Sequence, residues 1–151
     1  MEQARPKTPW HLWAIGIVAL LWNSGGAYDY LMTQTRNMDY LSMAADNAGI
    51  PVQVILDYFG SYPVWVEAGW AFGVWGAVAG SLLLLLRSRF AFHAFVVSLL
   101  GIAVTTVYTL TADLPAELQT AFNLVFSLLI IVATAALAFY AKAMTARGVL
   151  R

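Results

Sequence analysis

PVWVEAGWAFGVWGAVAGSLLLLLRSRFAFHAFVVSLLGIAVTTVYTL, residues 63–110, decides the fold. It holds two apolar runs, 63–86 and 90–110, separated only by Arg87-Ser88-Arg89. A helix crossing the hydrocarbon core of a bilayer needs about 20 apolar residues, and each run supplies them. So short a turn forces the two helices to lie side by side and antiparallel. Outward from this hairpin, 10–32 and 120–141 are apolar on the same scale. The chain reads as an all-α membrane protein, a four-helix antiparallel transmembrane bundle forming one domain over 1–151.

Composition agrees. The chain is 61% hydrophobic, against roughly 45–50% in a soluble domain. Eight basic and eight acidic residues cancel, so there is no basic face for nucleic acid. The chain has no cysteine, which excludes disulfides, thiol chemistry and iron–sulfur clusters. Arg5 and Lys7 ahead of an apolar run imitate a secretory leader. The run is long for one, and the segment reads as a retained helix.

Charge gives an orientation. Arg5, Lys7, Arg87, Arg89, Lys142, Arg147 and Arg151 fall on one side of the expected spans, and only Arg36 on the other. Asp39, Asp46, Asp57, Asp113 and Glu117 fall with Arg36. Basic residues in short loops stay cytoplasmic. Both termini and the 87–89 turn are therefore expected inside, and 33–62 and 111–119 outside. The location expected is a bacterial inner membrane, crossed several times. Trp10 and Trp13 suit one aromatic belt, and Tyr62 and Trp65 the other.

The outer segment 33–62 is long for a connection within a bundle. Pro51 can open a helix. Val52, Ile55, Leu56 and Phe59 then follow at helical spacing, before Gly60 and Pro63 stop it. A short amphipathic helix over 51–59 is expected, lying on the bundle or the membrane surface. A hydrophobic loop over the helix ends is the other reading. Residues 38–48 are expected to add a turn or two of helix.

Between membrane helices, small residues and hydrogen bonds supply the association. Gly69, Gly73, Gly76 and Gly80 form one stripe. Ser98, Gly101, Thr105 and Tyr108 form a second, and Asn123, Ser127, Ile130, Thr134, Leu137 and Ala141 a third. The glycine stripe fits internal packing. It is also where a homodimer or a larger membrane complex would dock, the lipid bilayer being the other partner. Asn23-Ser24-Gly25-Gly26 is a place where the first helix can bend or unwind.

Function has to come from polar groups inside the spans. Asp29 and Glu67 are carboxylates near the outer interface, and Asn23, Tyr108 and Asn123 lie in the same half. A carboxylate within a membrane marks an ion or solute path by default. Close to the interface its cost is small, and hydrated belt residues are the competing reading. Trp22 and Trp75 lie near mid-depth. Trp22 could wall a site for a sugar or an organic cation, or simply fill space in the bundle. The ligand-binding set expected is Trp22, Asn23, Asp29, Glu67, Tyr108 and Asn123. His11 and His93 have no neighbours at ligand spacing, so no metal or haem site is expected. No catalytic residue and no cofactor is expected, because no nucleophile motif or phosphate loop occurs.

Three stretches carry a likeness: Trp10-His11-Leu12-Trp13 with Leu21 to Asn37, Val74-Trp75-Gly76 with Gly80-Ser81-Leu82 and Arg87, and Tyr140-Ala141-Lys142-Ala143-Met144 with Gly148-Val149-Leu150-Arg151. In these the chain resembles a group of short four-span proteobacterial inner-membrane proteins, some of them labelled sugar transporters by automatic naming. The likeness is weakest over 38–57. It implies four spans and transport or binding of a small polar solute, sugar-like or cationic. The alternative is a non-catalytic accessory or structural subunit of a larger membrane complex. No internal repeat of the kind common in transporters is visible.

Overall fold

The computed structural model describes residues 7–151. Arg5, counted above on the basic side, lies outside the described residues. Six α-helices follow one another: α1 Trp10–Gln34, α2 Met38–Ala48, α3 Val52–Gly60, α4 Val64–Leu85, α5 Phe90–Thr111 and α6 Ala121–Ala146. A 3₁₀ turn, Ala116–Leu118, precedes α6. Among the described residues there is no strand.

Local chemistry sets the ends. Pro9, Pro51 and Pro63 stand immediately before α1, α3 and α4, where proline has no amide hydrogen to lose and its φ is already fixed. Asn37 caps α2 by accepting from the Tyr40 amide at 3.0 Å. Thr120 caps α6 by accepting from the Asn123 amide at 3.1 Å. Arg36, Gly49, Arg87 and Gly148 close helices in the left-handed conformation, with φ between 51° and 69°. Each is followed by an amide that reaches back to a carbonyl of the last turn, for example Asn37 N to Met32 O at 2.9 Å and Ser88 N to Leu83 O at 2.8 Å. This closure suits glycine, whereas an L side chain there costs about 1–2 kcal/mol. Two of the four positions are nonetheless arginine.

Among the described residues three helices are long and apolar enough to cross a membrane: Val64–Leu85, Phe90–Thr111 and Ala121–Ala146. This corrects the expectation of four. α1 is long enough at 25 residues, but it is not one of the three. Asn23, Ser24, Gly25, Gly26, Asp29 and Gln34 dilute its apolar character. The two helices expected in 33–62 are both present, with α2 three turns long. α6 runs five residues past the expected limit at 141, to Ala146.

α4 and α5 make the closest contact. Gly69 and Gly73 face Gly101, Gly76 faces the Ser98 backbone, and Gly80 faces the Phe95 ring. A methyl on Gly76 would stand 2.9 Å from the Ser98 nitrogen. Ser98 donates its hydroxyl to the Gly73 carbonyl. The glycine stripe is thus occupied by α5. The space beside Gly69, Gly73, Gly76 and Gly80, expected as a docking surface, is filled from within the chain.

α1 packs antiparallel on α4, and α6 on α5. Where the arginines lie, Leu12, Leu84, Phe95, Ala138, Ala141 and Met144 form one buried cluster with Val149 and Leu150. The Arg151 amide donates to Arg87 O, and the Arg89 amide donates to Arg151 O, each at 2.8 Å. At the opposite, acidic end the packing opens. Residues 121–129 of α6 are exposed around the whole helix.

Candidate functional site

The acidic end owes its shape to the short helices. α1 ends at Gln34 and the chain turns at Arg36, α2 and α3 follow, and Pro63 leads into α4. Aromatic rings tie the pieces together. Phe59 of α3 stacks on Trp70 of α4, with centroids 5.0 Å apart and planes at 16°. Tyr30 of α1 meets the same indole edge-on at 4.9 Å. Tyr62 reaches Trp70 at 6.1 Å and Tyr108 at 5.3 Å. The Tyr62 hydroxyl donates to the Tyr58 hydroxyl at 3.0 Å, and Tyr58 lies 3.4 Å from the Thr109 hydroxyl. Burial, followed by the Tyr58 bond, pushes the Tyr62 phenol well above its ordinary pKa. It stays a neutral hydrogen-bonding group.

Beneath α3 these contacts border a partly open cavity of about 80 Å³. Its wall comes from α1 and its corner (Thr33, Gln34, Arg36), from α2 and α3 (Leu41, Ile55, Leu56, Phe59, Gly60), and from the α4 entry (Tyr62, Glu67, Trp70). A wider and more open hollow of about 500 Å³ adjoins it. Arg36, Leu56 and Gly60 line both.

The charged members of the inner wall are Arg36 and Glu67, opposite in sign. Among the described residues no Lys or Arg nitrogen comes within 4.0 Å of an Asp or Glu oxygen, so the two share a cavity without joining in an ion pair. Thr33 is the second notable group. Thr35, Thr105, Thr109, Thr111, Thr134 and Thr145 each return the hydroxyl to a carbonyl on their own helix. Thr33 makes no such bond. It is only 8% exposed, and it lines the cavity. Its hydroxyl is within reach of solvent there; among the described residues the buried side-chain polar atom left without a partner is Arg87 Nε.

The six residues expected from sequence do not share one site. Glu67 lines the cavity. Tyr108 stands beside it, edge-on to Tyr62 and Trp65. Asp29 accepts from the Tyr40 hydroxyl at 2.7 Å and so fastens α1 to α2. The Asn23 amide donates to Ser81 Oγ at 2.9 Å and to the Ala77 carbonyl at 3.3 Å, a tie between α1 and α4. Asn123 is exposed and donates to Leu118 O at 2.9 Å, bracing its own loop. Trp22 leans on Phe126 at 6.1 Å.

Sequence reading missed Thr33, Gln34, Phe59 and Trp70 as site residues. They come from three segments that meet only because the chain turns three times between α1 and α4. Arg36 carried a signal, as the one basic residue on the acidic side. Among the described residues no group of His, Cys, Asp and Glu could hold a metal ion. Compared with family models, with curated proteins and with solved structures, the chain matches none.

Proposed function

We propose that this chain is a small integral membrane protein that binds a small polar solute, for transport or capture, in the cavity under α3. α4, α5 and α6 cross a bacterial inner membrane with the C-terminus in the cytoplasm, α1 packs against α4, and the cavity lies on the outer face. The observation that carries the reading is the pairing of Glu67 with Arg36 across one small aromatic-walled space. Pockets that recognise solutes combine an apolar wall with a few converging polar groups, and Phe59 and Trp70 with Glu67, Arg36 and Thr33 are of that kind. Glu67 stands in the first turn of α4, close enough to the interface to remain accessible from water.

The test is ligand-dependent thermal stability of the detergent-purified protein across sugars, amino acids, small amines and carboxylates. A shift in the wild type that Glu67→Gln and Trp70→Ala each reduce supports the site. No shift with any polar solute removes it. Cysteines at Asp46 and Ser88 test the orientation: the first should label from the periplasm and the second should not.

A second reading is supported by α6. Its first nine residues, 121–129, touch little of their own chain, as a helix end awaiting a neighbour would. On this reading the chain is a non-catalytic accessory subunit of a larger membrane complex. Gentle extraction followed by native mass measurement separates the two: a stable assembly with other chains favours the subunit, and a lone chain or homodimer favours solute binding.

A further inference from the structure

We propose that the cavity under α3 takes a small dipolar ion, an amino acid of the glycine or β-alanine kind, with its carboxylate on Arg36 and its ammonium on Glu67. The inference rests on the polar-solute reading above and narrows it to a class. Three observations lead to it.

The first is charge. Glu67 and Arg36 line one cavity, and neither is bound to the other. A ligand of a single sign would meet one attractive and one repulsive wall. A neutral ligand would leave two charges half satisfied. A ligand carrying both signs answers both walls at once, and each contact is a charge-assisted hydrogen bond. Arginine in particular offers a planar fork matched to a carboxylate.

The second is size. The inner cavity measures about 80 Å³, roughly half the ~150 Å³ of an apolar cavity that admits benzene. A hexose is larger than benzene and does not fit inside. A molecule of about five or six non-hydrogen atoms, benzene's own count, is seated there only with one end in the open hollow that adjoins it. The more open hollow of about 500 Å³ shares Arg36 and Gly60 with it, and so provides the way in.

The third is the remaining wall. Thr33 brings a hydroxyl to the cavity wall from the last turn of α1, three residues before Arg36. That places a second donor on the carboxylate side. Trp70 lies one helical turn beyond Glu67 on α4 and lines the same cavity, its ring held by Phe59 and Tyr30.

Isothermal titration of the purified full chain tests this with five probes: glycine, β-alanine, methylammonium, acetate and glucose. Glycine or β-alanine should bind about ten- to hundredfold more tightly than methylammonium or acetate, each of which keeps only one charged end. Arg36→Gln should bring glycine down to the level of methylammonium. Glu67→Gln should bring it down to acetate. Thr33→Val, which preserves shape, should weaken glycine and acetate alike and leave methylammonium unchanged. The wild-type ranking needs no variant, so a misfolded variant leaves the test intact. Glucose binding without glycine overturns the dipolar class and leaves the polar-solute reading standing. Acetate or methylammonium binding as well as glycine also overturns the class. Silence from all five probes, together with silence in the wider solute panel, overturns both.

Discussion

The Asn23 side chain of α1 and the Ser81 hydroxyl of α4 meet at 2.9 Å, and both donate to the same carbonyl, Ala77 O. One backbone acceptor thus serves two helices. Hydrogen bonds between membrane helices contribute about 1 kcal/mol. Asn23→Ala and Ser81→Ala should each lower stability by about that much, and the double variant by less than the sum. Unfolding in mixed micelles measures the coupling. Strict additivity would mean that the contact contributes nothing.

Glycines in this chain should differ sharply in what they tolerate. A methyl on Gly101 would overlap the Gly69 carbonyl and the Gly73 amide, which are backbone and cannot step aside. Gly101→Ala should cost about 1–3 kcal/mol or more through overpacking. Nothing lies within 4 Å of the position a methyl would take on Gly25. Gly25→Ala should be neutral or stabilising by up to about 1 kcal/mol, the ordinary gain of alanine over glycine inside a helix. Equal losses in both variants would refute the α4–α5 contact described above.

Arg36 holds a left-handed φ of 51° at a position that glycine fills without strain. Arg36→Gly should therefore raise stability by about 1 kcal/mol while weakening solute binding. Such strain at a ligand-facing position is a common trade of stability for function. A gain in melting temperature with binding retained would mean that the guanidinium has no part in the site.

Alkaline pH should loosen the corner between α1 and α2. Burial, and next the bond to Asp29, raise the Tyr40 phenol from 10.0 to about 12. In the unfolded chain Tyr40 loses its proton near its ordinary value, while in the folded chain it keeps it. The Tyr40 contribution is therefore complete below pH 10 and falls as pH climbs toward 12. Tyr62, shifted in the same direction, adds to the fall. Melting temperature measured from pH 9 to pH 12 should drop, and Tyr40→Phe should flatten the drop. An unchanged pH profile in Tyr40→Phe would place the loss elsewhere.

Much of the fold was legible because membrane helices write their boundaries locally. Pro63 and the Arg87-Ser88-Arg89 turn mark α4 to within a residue at each end, and Pro51 with Gly60 marks α3. α1 was harder. Its Trp10 and Leu21 read as membrane-embedded, yet Asn23 to Gly26 and Asp29 lower its apolar content, and no local rule weighs the one against the other. The site was legible in one residue. Glu67 stands out as a carboxylate in an apolar run, but Thr33 and Trp70 look like ordinary helix and belt residues until α3 folds over them. Asn23 and Asp29 stand out for the same reason as Glu67. Composition alone does not distinguish a polar residue that fastens two helices from one that faces an open space.

The backbone-to-backbone seam between α4 and α5 divides the molecule mechanically. Side chains can slide on one another, but Gly101 lodged between Gly69 and Gly73 leaves that pair almost no play, so the hairpin behaves as a fixed jaw. Glu67 and Trp70 are mounted on it. Thr33, Arg36 and Phe59 belong to the other jaw, the α1–α3 arm, which the hairpin holds through side-chain contacts: rings near the cavity, the Asn23 tie, and Leu12 against Leu84 at the far end. Anything gripped between Arg36 and Glu67 would be gripped across that division, and its arrival would register as movement of the arm while the hairpin stays still.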